Sequence, residues 1–206
     1  MDSNETSAFP AAYKSSLVGA IESVDLNKVA RAIDRLAEAR DKGSSIFICG
    51  NGGSASTASH FACDIVKGAS FNRSKRFRIM ALTDSVATLT AYSNDVSYES
   101  VFVEQLRNFA RPGDVLIALS GSGNSPNVLR AVEYANRAGC RTIALTGRDG
   151  GGLGPLAQLN IQVSHPHMGR IEDCHMMVLH MICYYFMEAQ EPAPVLKSSG
   201  AASRSL

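Results

Sequence analysis

Two groups of polar residues in this 206-residue chain have the types and spacing to do chemistry. The first is His60 and Asp64, four positions apart, joined late in the chain by Glu172, His175 and His180. On a helix, residues i and i+4 share one face. An imidazole beside a carboxylate can move a proton at a carbon next to a carbonyl, and such residues together also make a donor set for Zn2+. Spacing alone reads His60–Asp64 as a helical ion pair. It also favours His175 over His180 as companion to Glu172, since Glu172 and His175 are three apart. Glu172 and His180 lie eight apart, ~12 Å along a helix, so a metal between them needs both side chains to lean inward.

The second group is rich in hydroxyls and glycine. Gly50-Asn51-Gly52-Gly53-Ser54 and Ser120-Gly121-Ser122-Gly123-Asn124-Ser125 each follow an apolar run and precede a helical period. A helix N-terminus offers free N–H groups and a positive dipole end, and serine hydroxyls add donors, so both loops suit a phosphate. The plain alternative for the second loop is a serine N-cap and a glycine turn. The first loop formally fits G-x-G-x-x-A, but a dinucleotide fold wants an acid about 20 residues on, and Asp84 comes too late. No Gly-Lys-Ser/Thr follows for a P-loop, and the nucleophile elbow G-x-S-x-G fails because Ser120 and Asn124 stand two positions either side of Ser122.

These residues need elements to position them. Apolar positions from Leu17 to Leu36 recur at helical spacing within Ala11–Arg40, with a break near Ser23–Asp25 that predicts two helices. Strands are expected at Ser45–Cys49, Arg78–Leu82, Asp114–Leu119, Thr142–Leu145 and Leu159–Val163. Helices are expected at Ala55–Lys67, Ser85–Tyr92, Tyr98–Ala110, after Ser125 to Ala138, and from Ile171 to Met187. The alternation indicates an α/β fold with a parallel sheet. Residues 1–9 and 191–206 read as disordered tails around one domain at 10–189.

Composition excludes several classes. Twenty Lys+Arg against 19 Asp+Glu leave a net charge of +1, which excludes a general nucleic-acid surface. Only Arg73-Ser-Lys75-Arg76-Phe-Arg78 is locally basic. No apolar run reaches the ~20 residues of a spanning helix, so no membrane partner is expected. Cys49, Cys63, Cys140, Cys174 and Cys183 are odd in number and lack Cys-x-x-Cys spacing, and the first residues show no secretory signal. The expected compartment is a reducing cytoplasm, with the cysteines as small core residues.

The segments Ser45–Ser54, His60-Phe-Ala62, Gly113–Ser125, Arg141–Gly151 and Arg170–His175, in this order, closely resemble the sugar isomerase (SIS) domain, in its phosphoheptose isomerase branch. The resemblance covers about residues 10 to 189. It implies a five-stranded parallel sheet of the flavodoxin-like three-layer kind and long N-terminal helices. It further implies a homotetramer with active sites at subunit interfaces, and an aldose–ketose isomerase of phosphorylated sugars, sedoheptulose 7-phosphate above all. The positions that would bind substrate are Asn51, Gly52, Gly53, Ser54, Asn94, Asp95, Ser120, Gly121, Ser122, Ser125 and Glu172. Asp64 stands at the base position and His180 at the acid position. His60, Asp64, Glu172 and His180 stand where relatives hold zinc. Three residues depart from the family pattern: Asp64 replaces Glu, Glu172 replaces Gln, and Gly121 replaces a common Thr. The added charge of Glu172 favours a divalent cation, and the shorter Asp64 shifts a base relative to substrate. If metal makes Asp64 less basic, Glu172 can take the base role. His165, His167 and Lys67 read as surface residues near the ligand. The rival class is the non-catalytic SIS scaffold that binds a replication initiator, or a phosphosugar-sensing regulator. Scaffold relatives lack the acid and the histidine that this chain has at positions 64 and 180.

Overall fold

The apolar period of the N-terminal third resolves into two helices, with the break where Ser23–Asp25 predicts it. The structure, a computed structural model, describes residues 3–188. α1 spans Ser3–Glu22 and α2 spans Leu26–Lys42. The Asp25 carboxylate accepts from the N–H groups of Asn27 and Lys28, and Gly43 ends α2 in the left-handed conformation. Those are the N-cap and C-terminal roles an acid and a glycine fill. α1 starts at Ser3, well before the apolar period begins. Its inner end packs Leu17, Ala20 and Ile21 into the core, and residues 6–12 of its outer turns are exposed. The tail expected at 191–206 lies outside the described residues.

Five strands form one sheet: β1 (Ser45–Gly50), β2 (Arg78–Ala81), β3 (Val115–Ser120), β4 (Arg141–Gly147) and β5 (Leu159–Val163). Their order is β2-β1-β3-β4-β5 and every pairing is parallel. Along each strand, alternate side chains enter opposite cores. Ile46, Ile48, Val115, Ile117 and Leu119 point to one side, and Phe47, Cys49, Leu116 and Ala118 to the other. Burial on both faces is why these strands read as unbroken apolar runs.

The remaining helices are α3 (Gly53–Cys63), α4 (Val86–Asp95), α5 (Val103–Phe109), α6 (Pro126–Arg137), α7 (Leu153–Leu156) and α8 (Met168–Glu188). α7 is a single turn where the sequence analysis names no element. α1, α2, α3 and α8 bury side chains in the first core, and α5, α6 and α7 in the second. Each fully buried Leu or Ile, such as Leu36 or Ile117, contributes roughly 1.5–3 kcal/mol relative to exposure. The strand order reverses between β1 and β3, so their following loops leave to opposite sides and flank a crevice.

All five cysteines are free. Four are buried, and burial pushes the thiols of Cys49 and Cys183 up to about 12 and those of Cys140 and Cys174 to about 11. Only Cys63 is exposed.

His175 is a buried histidine with a measurable consequence. It is 1% exposed, its Nε2 lies 3.1 Å from the Thr146 carbonyl, and its Nδ1 has no partner among the described residues. Burial depresses its pKa from 6.5 to about 4. Between those two values the unfolded chain binds a proton that the folded chain does not, so stability rises with pH across that window. Acidification from 6.5 to 4 should therefore cost roughly 3 kcal/mol. Thermal melts across that range should show the falling melting temperature, and His175→Gln should flatten it. Glu38, held down to about 2 by Arg141 and Lys42, acts in the same direction but mainly at lower pH.

Candidate functional site

β3 ends at Ser120, and the chain turns through 121–124 to Ser125, the N-cap residue of α6. The Ser125 hydroxyl makes no cap bond to its own helix. It lies 3.1 Å from the Ser120 hydroxyl, which is 3.5 Å from that of Ser122. The three hydroxyls thus face one another at the positive end of α6, an arrangement that suits an anion. A plain serine cap would look different, with Ser125 bonded to a helix N–H.

The wall behind this cradle is backbone. Gly123 and Gly151 both have positive φ, 68° and 52°. A Cβ on Gly123 would lie 2.1 Å from the Gly150 carbonyl oxygen, and one on Gly151 would lie 2.7 Å from that of Ser122. The Leu153 N–H donates to Gly123 O and the Gly152 N–H to Asn124 Oδ1, both at 2.9 Å. The loop after β4 therefore braces the loop after β3. At Gly121 the Met168 sulfur fills the space a side chain would need, 2.4 Å from an ideal Cβ.

The loop after β1 is tied to α6. The Asn51 and Asn127 amides exchange two bonds of 2.9 Å, and the Tyr98 hydroxyl donates to Asn51 Oδ1 at 2.9 Å. The Asn51 side chain is thereby spent on structure. Sequence reasoning missed Asn127 and Tyr98, whose only signal was an Asn just after the Ser125-Pro126 helix start. Gly52 precedes α3, and Ser54 is buried in its first turn. The Glu172 carboxylate stands over Gly53, its oxygens 2.9 and 3.0 Å from where a Cβ would be.

Two turns further along α3 and α8, His60, Asp64 and His180 converge. His60 Nε2 is 3.1 Å from Asp64 Oδ2 and 3.1 Å from His180 Nε2, and His180 Nε2 is 3.6 Å from Asp64 Oδ2. Helix α3 passes into a π-helical turn at Asp64–Gly68, a distortion frequent at functional sites. The three side chains are part-exposed, and their donor atoms all lie within 4.8 Å of one another. On a tetrahedral Zn2+ with ligands at roughly 2.1 Å, donors stand about 3.4 Å apart. The observed spacing fits that donor set.

The two histidines of α8 lie in different surroundings. His175, which spacing favours, points into the core, and His180 meets His60. Glu172 is not in the three-donor group. Its place over Gly53, eight positions before His180 on one helix, keeps it at the loop end of α8.

Other predicted positions scatter. Asn94 and Asp95 bond each other at 2.7 Å on the exposed end of α4. Lys67 is exposed in the π-helical turn. The ring of His165 takes two bonds of 3.0 Å, one with the Ser16 hydroxyl and one from the His167 N–H, and it lines an open cleft that also contains Ser122.

Comparison with known proteins identifies the family. A model described as SIS domain matches residues 11–147. The phosphoheptose isomerase of Akkermansia muciniphila is 42% identical over 159 residues, 77% of this chain and 82% of that protein. The probable phosphoheptose isomerase of Thermoplasma acidophilum is 38% identical over 78% of this chain and 87% of its own. The solved phosphoheptose isomerase GmhA of Neisseria gonorrhoeae superposes with a TM-score of 0.82 at 32% identity, over 89% of this chain and 99% of that one. With the five-stranded sheet, the serine cradle and these likenesses together, the chain belongs to the SIS-domain family, in its phosphoheptose isomerase branch.

Proposed function

We propose that the protein is an aldose–ketose isomerase that interconverts sedoheptulose 7-phosphate and a manno-heptose 7-phosphate through an enediolate. The observation that carries this reading is the convergence of His60, Asp64 and His180 in a chain that also builds a three-serine anion cradle. Ser120, Ser122 and Ser125 hold the phosphate, with Ser54 and the 51–53 backbone beside them. Gly121, Asn94 and Asp95 keep the substrate-contact roles that the family resemblance gives them. Asp64 takes the proton next to the carbonyl, and His180 supplies one to the oxygen. The same chain joins an acid at position 64 to a histidine at 180, which supports an enzyme over a scaffold.

His60, Asp64 and His180 are the residues that would hold a Zn2+. When bound, such an ion would polarise the carbonyl and stabilise the enediolate oxygen. It would also lower the basicity of Asp64, and Glu172 would then serve as base. Glu172 stands over Gly53 outside this donor group, so as the fourth donor that the family resemblance implies it would come from another copy of the chain, in the homotetramer with interfacial sites that the same resemblance implies. Exposed Met177, Met181, Tyr184 and Tyr185 on α8 and Phe9 and Val18 on α1 are the apolar surface such an assembly would cover. No helix among the described residues is long and apolar enough to cross a membrane, and the free cysteines suit a reducing cytoplasm.

A panel of C5–C7 sugar phosphates assayed with and without a chelator tests this reading. The heptulose phosphate should turn over fastest, chelation should remove most of the activity, and added Zn2+ should restore it. Absence of turnover on every sugar would overturn the isomerase reading.

A further inference from the structure

The cradle has a charge problem. A sugar phosphate arrives as an anion of nearly two charges, yet the groups facing it are three neutral hydroxyls. The cleft that adjoins the cradle has a volume of about 710 Å3 and shares Ser122 with it. Asn124, Arg148, Asp149, Ser164 and His165 line the rest.

Arg148 has an unusual backbone. Its φ is +53°, one of two positive values at residues other than glycine among the described residues. It occupies the first central position of a tight turn closed by Gly150 N–H to Gly147 O at 2.9 Å. Glycine is the favoured residue there, because a side chain crowds the backbone. The turn is held in place regardless of the Arg148 side chain. The Arg148 carbonyl accepts from Gln162 Nε2 at 2.8 Å, and the Asp149 carboxylate accepts from the Gly151 N–H at 3.1 Å. Asp149 is thus occupied by the backbone, and Arg148 is exposed with no ion pair among the described residues. A strained residue whose side chain forms no structural bond is a candidate for function.

We propose that Arg148 is a binding residue for the ligand's phosphate, meeting it from the β4 side while Ser122 holds it from the β3 side. This rests on the sugar-phosphate reading of the cradle and adds the cation that the cradle lacks. A guanidinium suits the task, since it can give two parallel N–H bonds to phosphate oxygens.

The test uses Arg148→Gly and Arg148→Lys in the full chain. Glycine relieves the backbone strain, so its melting temperature should equal or exceed that of the wild type. Its KM for sedoheptulose 7-phosphate should rise about tenfold or more with kcat nearly unchanged, the effect of losing a charged hydrogen bond. Lysine should recover part of that loss. Calorimetric titration with inorganic phosphate should show a parallel loss of affinity in the glycine variant. An unchanged KM and unchanged phosphate affinity in Arg148→Gly would overturn the proposal. If the wild type turns over no sugar, the isomerase reading fails by itself. Phosphate titration then decides Arg148 alone, with weaker binding in the glycine variant supporting the role and equal binding overturning it.

Discussion

Replacing His180 by alanine should lower kcat by about 10²–10⁴, the range a positioned proton donor contributes, and leave the fold standing. The second half of that expectation follows from exposure. The His180 side chain is 40% exposed and touches mainly His60, Asp64 and the Tyr184 ring. Its removal opens no core cavity. Loss of one of three convergent donors should also weaken Zn2+ binding, readable by metal titration without any assay of turnover. Steady-state kinetics with a melting curve on the same sample makes the check. Wild-type kcat in His180→Ala would remove the acid role. His175→Ala is the instructive contrast, because that side chain is 1% exposed and its loss should appear first as a lower melting temperature.

The double variant Ser122→Ala, Ser125→Ala should raise KM for the sugar phosphate by roughly 10²-fold, taking about 1.5 kcal/mol for each lost bond to a charged group. kcat should change far less, because the groups proposed to move the proton lie on α3, its π-helical continuation and α8, and not on the loop before α6. Stability should change little too. A serine at an N-cap normally contributes about 1 kcal/mol through its side chain, but the Ser125 hydroxyl makes no such bond. Initial-rate kinetics across substrate concentration separates KM from kcat, and an unchanged KM would take this loop out of the phosphate site.

The sheet was legible because β1, β3 and β4 are buried on both faces, and short unbroken apolar runs between glycine-rich loops are what such strands require. The α1–α2 break was legible because Asp25 is a cap. The start of α1 was not, since its outer turns are exposed and carry no apolar period of their own. The same limit applies at the site. The family resemblance pointed to His60, Asp64, Glu172 and His180, of which His60, Asp64 and His180 meet while Glu172 stands apart over Gly53. Spacing along one helix favoured His175, because it reports which residues share a face and not which face is buried. Asn51 is engaged with Asn127, 76 positions away, and no local pattern announces such a pair. The positive φ of Arg148 is likewise invisible in sequence, where an arginine among glycines reads as a loop residue.

The interlocked loops after β3 and β4 divide this molecule into a conservative end and a permissive one. At Gly123 and Gly151 any side chain would strike main-chain carbonyl oxygens that have nowhere to go. Those positions are closed to drift while the cradle survives. His60, Asp64 and His180, by contrast, are part-exposed side chains that meet one another between α3 and α8, and exchanging one for another polar residue disturbs little packing. Asp64 and Glu172, the two acids that depart from the family pattern, belong to that permissive half or its border. Under the proposed function, the molecule pairs a phosphate socket fixed by main chain with reacting side chains that packing leaves free to vary.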